Sequence, residues 1–134
     1  MPNIKINRSD LVKIPEDAMK AAEDIARLSR VTAVFLFGSY AKGLQRTYSD
    51  VDLCVITENI DAKTKNEILM SSSKKVEIHI FEDMPLNLQF RVFKEGLPVF
   101  VKSQEKMLVK KLDIIRRYQD FRPRLERYWE AALA

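Results

Sequence analysis

Cysteine and histidine each occur once in 134 residues, and no apolar run is long enough to cross a bilayer. With Cys54 alone an internal disulfide is impossible, so apolar burial must hold the fold together. No signal-peptide pattern opens the chain, and a lone thiol suits a reducing compartment, so these absences predict a cytoplasmic protein with no membrane contact. Repeats and low-complexity segments are also missing. The charge excess is small, +4 with pI near 9.2, which accommodates nucleotide, nucleic acid or an acidic protein without selecting among them. What is present is 46% apolar and 31% charged residues, the balance of a soluble domain with a real core. The length predicts one domain over residues 1–134.

Along the chain, Ile4-Lys5-Ile6 reads as a short strand or an ordered arm. Pro15 with Glu16 and Asp17 opens a helix to about residue 29, its apolar positions Ala18, Ala21, Ala22, Ile25 and Leu28 at helical spacing. Thr32 to Phe37 is a continuous β-branched and aromatic run, expected of a central strand buried on both faces. Val51 to Ile56 is a second strand, with Val51, Leu53 and Val55 on one face and Asp52, Cys54 and Ile56 on the other. Cys54 is expected to pack as a small apolar residue. Asp61 caps a helix to about Met70, with Ala62, Ile68 and Leu69 turned inward. Lys75 to Phe81 alternates, placing Val76, Ile78 and Ile80 on the core and Glu77 and His79 opposite.

Pro85 opens a further helix carrying Leu86, Phe90 and Phe93, which Gly96 is expected to stop in a left-handed conformation. Pro98 in the strand Leu97 to Val101 predicts an edge position. Ser103 caps a final helical segment over about 103–133, its stripe formed by Met107, Leu108, Leu112 and Ile115. Pro123 is expected to break or kink it. Packing is the default for the aromatic tail, although Trp129 near its end makes an interface plausible.

Chemistry concentrates between residues 34 and 56. The first strand ends in Gly38-Ser39; ten residues later comes Asp50-Val51-Asp52, entering the second. Aspartates two apart on a strand share a face and repel unless a cation neutralises them. Hard cations such as Mg2+ take carboxylate oxygens and share their shell with phosphates. Gly38 permits close backbone approach, so Gly38-Ser39 can offer amides and a hydroxyl to those phosphates.

This pattern resembles the polymerase-beta-like nucleotidyltransferases. Phe37-Gly38-Ser39-Tyr40-Ala41-Lys42-Gly43 with Ser49-Asp50-Val51-Asp52-Leu53 is similar to their small prokaryotic branch, the minimal nucleotidyltransferases (MNT). The resemblance implies an α+β fold, a small mixed β-sheet flanked by helices with a long C-terminal helical segment. It implies Asp50, Asp52 and Glu77 as catalytic metal ligands for two Mg2+ ions, and Gly38, Ser39, Lys42 and Ser49 at the nucleotide, ATP. Glu77 stands where the family commonly has aspartate, and Lys42 where it has arginine; the lysine keeps charge but loses bidentate geometry. Tyr40 and Tyr48 flank the motif and either stack on a base or pack. His79, on the same face as Glu77, either touches nucleotide or metal or is a satisfied structural histidine, the latter being the default.

The segments from Pro85 to Gly96 and from Tyr118 to Tyr128 extend the likeness to the antitoxins of MNT–HEPN toxin–antitoxin modules. That branch implies a type VII-like antitoxin, a protein adenylyltransferase that moves AMP from ATP to a tyrosine of its partner HEPN ribonuclease toxin. The alternatives are an aminoglycoside-type small-molecule nucleotidyltransferase and a non-catalytic toxin-binding antitoxin. Direct nucleic-acid binding is not expected, since the arginines from Arg116 to Arg127 read as a solvated or toxin-facing helix surface.

Overall fold

The structure, a computed structural model, describes residues 4–5, 14–38 and 51–133. Among them, strands β1 (Ile4–Lys5), β2 (Val31–Phe37), β3 (Val51–Thr57), β4 (Val76–Ile80) and β5 (Leu97–Val101) form one sheet in the order β1-β5-β2-β3-β4. Helices α1 (Glu16–Ala26), α2 (Ala62–Leu69), α3 (Leu86–Glu95) and α4 (Gln104–Leu133) cover it. The sheet is mixed. β2 runs antiparallel to both β3 and β5, whereas β3 and β4 are parallel and joined through α2. No helix among the described residues is long and apolar enough to cross a membrane.

The two-residue period of the strands divides the core into two layers. Val34 and Leu36, with Val51, Leu53 and Val55, with Val76, Ile78 and Ile80, meet α1 on one face. α1 presents Ala18, Ala21, Ala22 and Ile25 there, and its small side chains let the helix lie close to the sheet. On the other face Ala33, Phe35, Cys54 and Ile56 meet Val92 of α3 and Ile114 of α4. Phe93 of α3 joins this layer edge-on to Phe35 and Phe81. Cys54 is fully buried, and burial pushes its thiol far above the ordinary range. The folded protein is therefore expected to leave a disulfide reagent unreacted at pH 8, and to release one equivalent of thiol on denaturation.

Several elements differ from what local sequence predicts. Gly96 is extended, with φ −75° and ψ 159°. Its glycine answers crowding instead, since a Cβ there would stand 2.4 Å from the Val92 carbonyl oxygen and 3.2 Å from that of Leu36. Strand β5 lies between β1 and β2, and its proline is tolerated at a bulge. Val34 faces Phe100 while Phe35 faces Pro98, which leaves Val99 as the extra residue. α4 continues through Pro123, forgoing one backbone bond, with the Arg122–Glu126 pair at 3.0 Å spanning the proline. Only Ile68 of α2 is buried; Ala62 and Leu69 are exposed.

The inward face of α4 is rotated from the expected stripe. Met107, Ile114 and Tyr118 pack, Tyr118 stacking on Phe90 with ring centroids 3.9 Å apart. Leu108 and Leu112 face solvent, as do Phe121, Tyr128 and Trp129. The rotation follows from a polar anchor. Lys110 donates to the Thr57 carbonyl at 2.8 Å and pairs with Glu82, which also accepts from the Thr57 amide and hydroxyl. Glu82→Ala removes the ion-pair partner of Lys110 and leaves two Thr57 donors unpaired beside the core. It is expected to lower unfolding stability by about 1–2 kcal/mol in urea titration.

Candidate active site

The site is built where β2 ends and β3 begins. Phe37 pairs with Asp52 across the antiparallel ladder, and Asp52 pairs with Glu77 across the parallel one. All three lie on the α3/α4 face of the sheet, as does His79, two residues beyond Glu77 on β4. The His79 Nε2 is 3.4 Å from Asp52 Oδ1 and 3.6 Å from Glu77 Oε1. One ligand atom from each of the three side chains falls within 4.8 Å of the others. Asp52 and His79 are half-buried, with side chains 26% and 32% exposed, while Glu77 is 60% exposed. The site is thus anchored at Asp52 and open at Glu77. Phe37 meets the His79 ring edge-on, with centroids 5.2 Å apart, and limits its tilt.

Gly38 follows directly, with φ +79°. A side chain there would be strained, and its Cβ would sit 2.7 Å from Asp52 Oδ2. The glycine and the carboxylate therefore require each other, a coupling more specific than the backbone access read from the sequence. The Asp52 hydrogen bond, assisted by the Glu77 charge, holds the His79 imidazole above its ordinary pKa against partial burial. In the metal-free protein this pairing stabilises the fold below the ordinary imidazole range, and the contribution is lost as pH rises through the raised value.

Two carboxylates and an imidazole converging on one point suit a divalent cation, which would relieve the crowding of negative charge. Of the residues predicted for the site, the structure brings together Gly38, Asp52 and Glu77. Ser39, Lys42, Ser49 and Asp50, with Tyr40 and Tyr48, lie outside the described residues. His79 is the member for which the sequence favours a structural role over a contact to nucleotide or metal. The available signal was its place two residues from Glu77 on the same strand face; parallel β3–β4 register then carries it to Asp52.

Residues 20–105 match the family model described as polymerase beta, nucleotidyltransferase. The chain belongs to this family. As a nucleotidyltransferase it is similar to a protein of Methanocaldococcus jannaschii whose name proposes protein adenylyltransferase activity. The two are 36% identical over 73 residues, which is 54% of this chain and 58% of the relative. The matched part thus spans little more than half of that relative's length. Among solved structures, the nucleotidyltransferase chain resembles a chain of a toxin–antitoxin complex with AMP-PNP. The TM-score is 0.71 at 19% identity, covering 87% of this chain and 98% of the other. It also resembles a chain of the complex between tri-AMPylated Shewanella oneidensis HEPN toxin and its MNT antitoxin. Here the TM-score is 0.63 at 18% identity, covering 87% and 92%. At such identities the likeness is one of fold.

Proposed function

We propose that this nucleotidyltransferase is an antitoxin that transfers AMP from ATP to a tyrosine of a HEPN-domain ribonuclease toxin. The observation that carries the reading is the cation-type cluster of Asp52, Glu77 and His79 beside Gly38, inside the family-matched region. The adenylyltransferase relative and the toxin–antitoxin fold likenesses support protein, over a small molecule, as acceptor.

In this reading Asp50, Asp52 and Glu77 hold the divalent cation, Mg2+ in the family's usual chemistry. When bound, the cation neutralises charge on the triphosphate and on the departing pyrophosphate. The tyrosine oxygen attacks the α-phosphorus, the bond from that phosphorus to the β-phosphate's bridging oxygen breaks, and pyrophosphate leaves. Glu77, the most exposed of Asp52, Glu77 and His79, would accept the tyrosine proton. Gly38 and Ser39 would offer backbone amides and a hydroxyl to the phosphates, with Lys42 and Ser49 completing the nucleotide contacts. The open Glu77 side is where a docked protein would bring its hydroxyl.

The test is incubation with ATP, a divalent cation and the HEPN protein encoded beside it, followed by intact mass. An AMP-sized gain on the partner, lost in Asp50→Ala, supports the enzyme. Neutralisation of the toxin without a mass gain overturns it in favour of a binding-only antitoxin.

A further inference from the structure

The nitrogen in this site does not suit Mg2+. That ion demands near-octahedral oxygen ligands and keeps its water, whereas imidazole favours transition ions. His79 is nevertheless the residue that lies between the two carboxylates, its Nε2 3.4 Å from Asp52 and 3.6 Å from Glu77. Bonds of about 2.1 Å place neighbouring donors about 3 Å apart in an octahedral shell and about 3.4 Å apart in a tetrahedral one. The His79 nitrogen is therefore already near ligating separation from each carboxylate, and the three donor atoms lie within 4.8 Å of one another. The ring's register position is opposite Cys54, yet Nε2 reaches back to the Asp52–Glu77 pair. Phe37 packs against the ring in the edge-to-face arrangement described above.

We infer that His79 is a direct ligand of the cation beside the carboxylates, and that the site consequently selects a divalent transition ion such as Mn2+ over Mg2+. This deepens the proposed function by naming its cation. It rests on that reading only for the presence of a cation, and not on the acceptor.

Mn2+ alone, added to the purified full chain, provides the test. Pulsed electron paramagnetic resonance of the bound Mn2+ is expected to show coupling to a directly ligated 14N. Mg2+ is expected to displace the Mn2+ only at tenfold or greater excess. His79→Gln should remove the 14N coupling, weaken Mn2+ at least tenfold, and leave Mg2+ affinity within twofold. Bound Mn2+ without 14N coupling in the unaltered chain overturns the inference, as does failure to bind Mn2+. Equal weakening of both ions in His79→Gln also overturns it, making His79 a positioning residue for Asp52. If 14N coupling is present but no toxin adenylylation occurs with either ion, the functional reading alone fails.

Discussion

Under the proposed function, Asp52→Ala is expected to lower AMP transfer to the toxin by on the order of 10³-fold or more, about 4 kcal/mol of transition-state stabilisation. Asp52 adjoins the other described parts of the site. It meets His79 at 3.4 Å, faces Glu77 and Phe37 in register, and fills the space that Gly38 leaves open. Its removal takes away a proposed cation ligand and the hydrogen-bond partner of the imidazole. Stability should change little, because the carboxylate is partly solvated and no core packing depends on it. The measurement pairs intact-mass assay of the toxin with thermal melting of the variant. A variant that melts normally yet modifies the toxin at more than a tenth of the original rate would remove Asp52 from the chemistry.

The second large effect is expected from Gly38→Ala, a single added methyl. At φ +79° an alanine is strained by about 1–2 kcal/mol, which for a chain of this size lowers Tm by about 3–6 °C. Its Cβ would also meet the Asp52 carboxylate at 2.7 Å, so the carboxylate must swing away from His79 and Glu77. A displacement near 1 Å in a reacting constellation costs about a hundredfold. Activity is thus expected to fall much further than stability does. Gly38→Asn separates the two causes. Asparagine accepts the left-handed backbone more readily but still crowds Asp52, so it should recover part of the melting temperature and none of the activity. Recovery of activity in Gly38→Asn would show that backbone strain, and not the Asp52 contact, sets the requirement.

Period-two patterning was readable wherever a strand had one clear core face. Val51, Leu53 and Val55 were assigned to one side and Cys54 and Ile56 to the other, and the structure separates them into the two layers in that way. The alternation from Val76 to Ile80 was equally informative, because hydrophobic and polar residues there differ sharply. Helix α4 was harder. Its apolar residues circle the helix, and the face that packs is chosen by Lys110 reaching Glu82 and Thr57, a tertiary contact with no local signature. Gly96 and Pro98 depart from their local signals for a related reason. Each answers to a neighbouring strand or helix backbone, distant in sequence in the case of β2, rather than to its own turn preference. In the site, Asp52 stood out through its motif, whereas His79 acquires meaning only when β4 is laid parallel to β3.

That parallel pairing bears on how the site comes into being during folding. Asp52 and Glu77 are adjacent in the ladder but separated in sequence by the whole of α2. No turn can bring parallel neighbours together; the crossover must close first, at the entropic cost of a long loop. The proposed cation ligands therefore cannot be pre-assembled in a local hairpin. They gather only once β4 has docked against the sheet, and a refolding chain should gain its cation affinity together with β3–β4 pairing and not before.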